Sequence, residues 1–262
     1  MPRDPDDPSL LGWLAYRFLH APLLHCRQRN AEFLLYLLLR RVCSGPFAGM
    51  RYVGDSPNLH IAPSLLGMNE LEIRPWVQRL MTGGFDTFIN IGAAEGYYAV
   101  GMARCSSIPR IIAYEGNRSG RVLTRFMARR NGVAARVDVR GACSPDLLAA
   151  ALAPLPRPAL LMDVEGYEEV LADPATNPHL ARTTMIIELH EQERPMAEIL
   201  RPRFAASHAI EEIWTRPREL SDLPQSLWPA SLCFPRERLL ELGTERRDGP
   251  MRWWLLTPNL SA

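Results

Sequence analysis

The sequence of 262 residues contains no lysine, and all thirty of its basic residues are arginines. This absence excludes every site that depends on a lysine amine. Such sites include a Schiff base with a carbonyl substrate or pyridoxal phosphate, a Walker A phosphate loop, and the Tyr-x-x-x-Lys pair of short-chain dehydrogenases.

Cysteine, net charge and long apolar runs are also scarce. The five cysteines are odd in number and lack any Cys-x-x-Cys spacing, which is typical of reduced thiols. A net charge of +1 gives no electrostatic argument for nucleic acid. The apolar run over residues 33–39 is far shorter than the ~20 residues that span a bilayer, and the acidic, proline-rich residues 1–8 do not resemble a signal peptide. We therefore predict a cytoplasmic protein with no membrane span and no nucleic-acid partner.

The pattern of the chain changes near residue 50. Residues 1–8 are predicted to be disordered, and residues 10–42 are predicted to form two helices interrupted near Pro22. Both helices are apolar on more than one face, so they must pack on the main domain or on a second copy of the chain, with peripheral membrane contact as the alternative. A homodimer through this extension is therefore possible. Residues 50–62 alternate around a turn signal and predict a β-hairpin, followed by a helix over 70–81.

From residue 87 onward strands and helices alternate, which predicts a mainly parallel sheet with helices on both faces. The strands are predicted near 87–91, 110–114, 136–140, 159–163, 184–188, 209–214 and 251–257. The helices are predicted near 96–105, 118–131, 145–152, 165–172, 195–204 and 234–242. We therefore divide the chain into an N-terminal extension, residues 1–49, and one α/β domain, residues 50–262.

The most informative stretch is residues 87–98, Thr-Phe-Ile-Asn-Ile-Gly-Ala-Ala-Glu-Gly-Tyr-Tyr. An apolar strand ends at Gly92, a turn of small residues runs to Gly96, and a helical pattern follows, whose N-terminus offers free N–H donors to a ligand. The next strand ends at Glu115, about 20 positions downstream, where a carboxylate can accept hydrogen bonds from ribose hydroxyls. The turn reads Gly-x-x-x-Gly and contains Glu95. It therefore suits a cationic, phosphate-free ligand such as S-adenosylmethionine better than a pyrophosphate.

Later strands end in residues that can also bind or react. In an open α/β sheet, ligands sit beyond the carboxyl ends of the strands. The third strand ends near Gly141 and Ala142, where small side chains could line an adenine. The fourth ends at Asp163, and the fifth at Glu188 and His190, which are two residues apart and share one face of the strand.

Several segments in this order resemble the FkbM-type branch of class I S-adenosylmethionine-dependent methyltransferases. They are Gly-Met-Asn-Glu from residue 67, Asn-Ile-Gly-Ala-Ala-Glu-Gly-Tyr-Tyr-Ala-Val from 90, Ala-Tyr-Glu-Gly-Asn from 113, Met-Asp-Val-Glu-Gly-Tyr-Glu from 162 and Ile-Ile-Glu-Leu-His-Glu from 186. The resemblance covers roughly residues 50–215. It implies methyl transfer and a Rossmann-like, seven-stranded, mostly parallel sheet whose last strand runs antiparallel.

The resemblance also implies where the cofactor would bind. Gly92, Glu95 and Gly96 would line its methionine part, and Glu115 would hold its ribose. The full set that we assign to the cofactor site is Glu70, Asn90, Gly92, Ala93, Glu95, Gly96, Tyr97, Glu115, Gly116, Gly141, Ala142 and Asp163. Asn90 stands where the family usually has Asp, and Asn69 stands where it usually has Tyr.

Three residues are the predicted catalytic set: Asp163, Glu188 and His190. Methyl transfer is an in-line displacement in which positioning supplies much of the rate, but a hydroxyl nucleophile must also lose a proton. Asp163 could face the reaction centre, or it could cap a helix that starts near Glu165. Glu165 and Glu168 are predicted as first-turn carboxylates of that helix. The catalytic set could hold a metal, although no ligand spacing demands one, or His190 could act alone as a base or substrate ligand.

The acceptor is predicted from the resemblance alone as a small molecule, most plausibly through a hydroxyl of a sugar or natural product. Two alternatives stay open. One is a catalytically inactive, methyltransferase-like binding or scaffold protein, which the asparagines at 69 and 90 favour. The other is a nicotinamide-dependent oxidoreductase, which the missing Gly-x-Gly-x-x-Gly disfavours. The arginine pairs at 129–130 and 246–247 are predicted as solvated helix faces, and Trp253 and Trp254 as core residues on opposite faces of the last strand.

Overall fold

The computed structural model describes residues 23–53, 60–191, 195–247 and 249–259, with side chains from residue 28 onward. Its strands form one seven-stranded sheet in the order β3-β2-β1-β4-β5-β7-β6. They are β1 (Thr87–Ile91), β2 (Arg110–Tyr114), β3 (Val137–Arg140), β4 (Pro158–Met162), β5 (Thr184–Leu189), β6 (His208–Trp214) and β7 (Arg252–Pro258). Strands β1 to β5 pair in parallel, and β7 lies antiparallel between β5 and β6. The predicted fold is confirmed, including the antiparallel last strand.

Helices cover both faces of the sheet. They are α1 (Leu23–Leu39), α2 (Ala62–Leu66), α3 (Arg74–Thr82), α4 (Tyr97–Cys105), α5 (Arg118–Arg130), α6 (Pro145–Leu152), α7 (Glu168–Leu171), α8 (Met196–Phe204) and α9 (Arg236–Gly243). Buried residues of α1 to α5 and α9 join one apolar cluster, and those of α6 to α8 join the other. Trp253 belongs to the first cluster and Trp254 to the second, so the prediction that they alternate into the core is confirmed.

The second of the predicted N-terminal helices is α1, and it packs on the main domain. Leu35 is fully buried, and the buried Glu32 carboxylate accepts hydrogen bonds from His60 Nδ1 at 2.8 Å and from the Ile61 amide at 2.9 Å. The other ring nitrogen of His60 lies 3.1 Å from the Thr244 carbonyl. Burial alone would lower the pKa of His60, but the Glu32 carboxylate outweighs burial and raises it. An ion pair therefore fastens α1 to the domain. The first predicted helix lies outside the described residues.

Two expectations around residues 50–81 are wrong in the described residues. Arg51 forms an antiparallel bridge with Arg41 rather than with the second arm of a hairpin over 50–62. That second arm is instead the start of α2, where Pro63 occupies the first turn and favours a helix. Residues 54–59 of the predicted hairpin lie outside the described residues. The helix predicted from residue 70 begins only at Arg74, because Glu70 has a left-handed backbone (φ 45°) and a short 3₁₀ turn follows it.

Candidate functional site at the carboxyl ends of the strands

A cavity of about 350 Å³ lies at the edge where β1, β2 and β4 end. It is lined by Ile91, Gly92, Ala94, Tyr114, Glu115, Gly116, Asn117, Ala142, Cys143, Asp163, Val164, Glu165, Tyr167 and Leu171. Five residues of the predicted cofactor set, Gly92, Glu115, Gly116, Ala142 and Asp163, therefore meet around one space. Parallel strands bring them together because their carboxyl ends share one edge of the sheet.

Glu115 is fixed by the backbone on both sides of the cavity. One of its oxygens accepts a hydrogen bond from the Ala94 amide at 2.6 Å, and the other accepts from the Asn117 amide at 2.6 Å. The turn after β1 is held from the same side, because the Gly92 and Ala93 amides both donate to the Tyr114 carbonyl at 3.0 Å. The carboxylate thus joins the turn to the start of α5 and keeps further lone pairs for a ligand.

The two glycines of the turn are required by packing within the chain. A Cβ atom on Gly92 would lie 1.7 Å from the Asp163 carbonyl oxygen, and the residue has φ 80°. A Cβ atom on Gly96, where φ is 97°, would lie 2.8 Å from the Thr124 methyl group on α5. From the sequence alone, both glycines are explained by the approach of a ligand. Gly92 does line the cavity, but its absence of a side chain is explained first by its contact with the end of β4.

Asn90 is a buried polar residue whose amide is unsatisfied within the described residues. Its side chain is 1% exposed, and neither Nδ2 nor Oδ1 has a partner in the part of the chain that the structure describes. The strand register places Asn90 beside Leu161 on β4. Asp163 follows Leu161 by two residues, so its side chain lies on the same face of the sheet. A buried amide without a partner is costly, so a polar ligand at this edge would satisfy it.

Three carboxylates gather at the same edge of the sheet, two of them buried (Glu70 and Glu188) and one partly exposed (Asp163). Glu70, Asp163 and Glu188 each place an oxygen within 4.8 Å of the other two. Arg247 is the cation that binds this cluster, since it donates to Glu188 and, at 3.1 Å, to Glu70. It also bonds Glu245 at 2.6 Å. The prediction that Arg247 belongs to a solvated helix face is wrong. Its guanidinium group lies among carboxylates that come from distant parts of the chain.

The carboxylates of this cluster hold protons more tightly than free acids do. Burial raises the pKa of Glu70 to about 8, although Arg247 opposes the rise. Burial also raises the pKa of Asp163 to about 6, with His190 opposing and Glu165 adding to the effect. The pKa of Glu188 rises for the same reason, and Asp163 and Glu70 raise it further. One arginine therefore does not balance the negative charge, and the cluster favours a cationic ligand.

His190 lies beside this cluster and is oriented by Glu168. Its Nδ1 lies 2.8 Å from the fully buried Glu168 carboxylate, which also accepts from the Val164 amide at 3.1 Å. Its Nε2 lies 3.6 Å from Asp163 and 3.4 Å from Glu165. Burial alone would lower the pKa of His190, but Glu168 outweighs burial and raises it. A neutral imidazole would therefore carry its proton on Nδ1 and present the Nε2 lone pair to a substrate.

The helix expected over 165–172 is shorter, which decides the role of Asp163. Glu165 (φ 53°) and Gly166 (φ 100°) have left-handed backbones, so α7 begins only at Glu168. Asp163 therefore does not cap the helix, and its buried Oδ1 has no hydrogen-bond partner among the described residues. Glu165 lies outside the helix and is exposed, while Glu168 is in the first turn and bound to His190. The alternative in which Asp163 faces the site is the one that the geometry favours.

The predicted catalytic set is brought together as two overlapping groups. Asp163, Glu165 and His190 place ligand atoms within 4.8 Å of one another, and Asp163 also belongs to the group with Glu70 and Glu188. Either group has oxygen or nitrogen donors that a metal ion could use. Arg247 already binds two carboxylates of the second group, so that group is better suited to an organic cation.

The other predicted residues lie near the cavity but do not line it. Ala93 and Tyr97 are buried in the core beside the turn, and Gly141 is exposed. Glu95 is buried and accepts a hydrogen bond from the Tyr52 hydroxyl. Roles for these residues remain predictions.

Three residues that bind the carboxylate cluster, directly or through one another, were missed. Arg247 was misassigned, Tyr98 donates to the Glu70 carboxylate, and Glu245 binds Arg247. Tyr98 lies two residues after Gly96 at the end of the glycine turn, which is the one local signal among them.

Comparisons with known proteins give distant structural similarities. No family profile and no curated protein matches the chain. An O-methyltransferase from Bacillus cereus in complex with SAH has 12% identity and a TM-score of 0.44, over 94% of this chain and 97% of that one. A precorrin-6y C5,15-methyltransferase from Geobacter metallireducens has 14% identity and a TM-score of 0.45, over 72% and 89%. An O-methyltransferase of tomaymycin synthesis from Streptomyces achromogenes, in complex with SAM, has 14% identity and a TM-score of 0.44, over 75% and 86%.

At these identities the similarities give no residue of this chain a role, and the FkbM-type resemblance stays a prediction from the motifs. Among the described helices, none has the length and apolar character needed to cross a membrane.

Proposed function

We propose that the protein transfers a methyl group from S-adenosylmethionine to a small-molecule acceptor, with a hydroxyl as the accepting group. The charge of the site is the observation that carries this proposal. The residues that line the cavity include Glu115, Asp163 and Glu165 and, within the described part of the chain, no arginine or histidine. A sulfonium and an ammonium group suit this lining, whereas the pyrophosphate of a dinucleotide would be repelled by it.

The residues present fit the parts of that cofactor. Glu115 would accept hydrogen bonds from the two ribose hydroxyls through its remaining lone pairs. Gly116 and Ala142, beside Glu115 in the cavity, leave room for a flat base. The polar methionine end of the cofactor would be bound by the Asn90 amide, which has no partner among the described residues, and by the carboxylates of Glu70 and Asp163. The ammonium group at that end would supply positive charge that Arg247 alone does not provide.

When bound, S-adenosylmethionine supplies an electrophilic methyl group on a positively charged sulfur. The chain's own task is then to align an acceptor and to remove its proton. His190 is the base that the geometry favours, because Glu168 holds Nδ1 at 2.8 Å and leaves Nε2 directed toward Asp163 and Glu165 at the edge of the cavity. A base placed in this way contributes roughly 10²- to 10⁴-fold to a rate.

Calorimetric titration with S-adenosylhomocysteine tests the cofactor. We expect binding to the wild type and a loss of roughly 10- to 100-fold in affinity for Glu115→Gln, since a charge-assisted contact contributes ~1.5–3 kcal/mol. Glu198→Gln, which alters an exposed carboxylate on α8, is the matched control and should bind as the wild type does.

Titration with NAD in parallel separates the two cofactor classes, and we expect no binding. Binding of NAD in preference to S-adenosylhomocysteine would support the oxidoreductase and refute methyl transfer. No binding of either ligand by folded protein would refute it as well and would favour the inactive binding protein.

A further inference from the structure

A second charged site lies away from the cavity, on the surface between α1 and α5. A cavity of about 290 Å³ is lined by Arg40, Arg41, Arg51 and Arg130, and this space is called the arginine cavity below. Arg130 ends α5, whose 13 residues begin beside Glu115. A helix of that length spans about 20 Å, so the arginine cavity is separate from the candidate active site.

The backbone that carries these arginines is held firmly. Arg41 and Arg51 form the antiparallel bridge, and Asn131 clamps Arg51 by accepting from its amide and donating to its carbonyl, both at 2.8 Å. Arg40 has a left-handed backbone with φ 54°, one of four non-glycine residues among those described to do so. The other three, Glu70, Ala94 and Glu165, all lie at the candidate active site. Such conformations cost energy and concentrate at binding sites.

The four guanidinium groups bond to carbonyl oxygens or an aromatic ring rather than to carboxylates. Arg41 Nη1 donates to the Gly49 carbonyl at 2.9 Å, Arg40 Nε to the Leu37 carbonyl at 3.3 Å, and Arg51 Nη1 to the Arg130 carbonyl at 3.5 Å. Arg130 lies over the Phe126 ring at 5.5 Å. These contacts orient the side chains without neutralising them, and no carboxylate in the described ranges pairs with any of the four. Elsewhere arginines do pair with carboxylates, as Arg79, Arg216, Arg218, Arg247 and Arg252 show.

From this arrangement we infer that the arginine cavity binds a phosphate group. Four like charges repel one another, and arginine cannot relieve that repulsion by losing its proton. A dianion removes the repulsion, and the planar forks of guanidinium groups match phosphate oxygens in pairs. The N–H groups that do not bond to carbonyls remain to hold such an anion. The phosphate group could belong to a soluble molecule or to the headgroup of an anionic lipid, and the two sources differ in the assay that detects them.

The test uses the full-length protein and two probes at low ionic strength. Inorganic pyrophosphate is titrated by calorimetry, and vesicles of phosphatidylglycerol or of phosphatidylcholine are tested by co-sedimentation. The variant Arg51→Gln/Arg130→Gln removes two charges from the arginine cavity. The control Arg79→Gln/Arg216→Gln removes two charges from exposed arginines elsewhere. Circular dichroism verifies folding, and the single variant Arg130→Gln, whose side chain makes no hydrogen bond recorded among the described residues, serves if the double variant unfolds.

We expect the cavity variant to weaken binding about tenfold and the control to weaken it less than threefold, because the lost guanidinium groups would contact phosphate oxygens directly, whereas the control arginines act only at long range. If the cavity variant, but not the control, loses binding of pyrophosphate only, the ligand is a soluble phosphate. If the cavity variant, but not the control, loses binding of phosphatidylglycerol vesicles only, and phosphatidylcholine vesicles are not bound by any variant, the ligand is a lipid headgroup. Absence of binding in both assays, or equal weakening in the two double variants, overturns the inference.

Discussion

Replacing Arg247 by glutamine should strongly destabilise the protein at neutral pH. The side chains that this arginine joins are nearly inaccessible, with exposures of 7% for Glu70, 2% for Glu188 and 10% for Glu245. Removing Arg247 leaves Glu70 and Glu188 without a cationic partner in a medium that penalises charge, whereas Glu245 keeps its ion pair with Arg218 at 2.7 Å. Breaking a buried ion pair from one side costs ~3–5 kcal/mol. For a domain of this size, ~2–4 °C per kcal/mol gives a fall in melting temperature of roughly 6–20 °C.

The same variant should recover stability in acid. Without Arg247 the pKa of Glu70, already raised to about 8 by burial, rises further, so the folded state binds more protons than the unfolded state does. The contribution of such a group to the stability of the folded state is fully present below its unfolded pKa near 4.5, and it is lost as the pH rises through its folded pKa. The deficit of the variant relative to wild type should therefore be larger at pH 8 than at pH 5.

Thermal unfolding followed by circular dichroism at pH 5 and pH 8 measures both effects. Arg246→Gln, an exposed neighbour with the same change in charge, is the control and should lie within about 0.5 kcal/mol of wild type. Adding Glu188→Gln to Arg247→Gln should restore part of the loss, since it removes one unpaired charge. If Arg247→Gln matched Arg246→Gln at both pH values, the view of the site as a buried, under-neutralised carboxylate cluster would be refuted.

Two further predictions concern the turn after β1 and the candidate base. Gly92→Ala should lower stability by ~2–5 kcal/mol in urea unfolding, because its Cβ would overlap the Asp163 carbonyl. Gly132→Ala, which has φ 72° and nothing within 4 Å, isolates the left-handed penalty of ~1–2 kcal/mol, and equal losses would contradict the packing explanation. In an NMR titration His190 should lose its proton above the usual pKa of 6.5, and Glu168→Gln should move this transition to lower pH, because only Asp163 and Glu165 then oppose the effect of burial on the pKa. An unchanged midpoint would show that Glu168 does not hold the imidazole.

The sheet and the turn after β1 could be predicted because their signals are local. Residues 87–91 are a short apolar run with a glycine turn after it, and the structure places β1 at Thr87–Ile91. Glu115 was predicted from its distance along the chain, since one helix separates successive parallel strands. The helix over 165–172 was predicted too long for an equally local reason, because Glu165, a residue type that rarely adopts a left-handed backbone, does so here together with Gly166.

The electrostatics of the site could not be predicted in the same way. Arg247 binds Glu70, Glu188 and Glu245, and two of these lie 177 and 59 positions away along the chain. No sequence periodicity connects such residues. In the sequence, the arginine pair at 246–247 cannot be distinguished from a pair of solvent-exposed arginines. The choice between the two roles of Asp163 likewise depended on where α7 begins. Residue type predicted which groups could react, and only the fold shows which of them share a buried space.

The two charged sites differ in how they can relieve their excess charge, and this difference strengthens the inference about the arginine cavity. At the candidate active site the carboxylates relieve repulsion by keeping protons, as the raised pKa values of Glu70 and Asp163 show. The arginine cavity has no such means, because a guanidinium stays charged at every physiological pH. In a chain without lysine, every positive site built from side chains other than histidine has this property. The acidic site can therefore persist without its ligand at the cost of bound protons, whereas the exposed arginines of the arginine cavity keep their full charge and can be neutralised only by an anion.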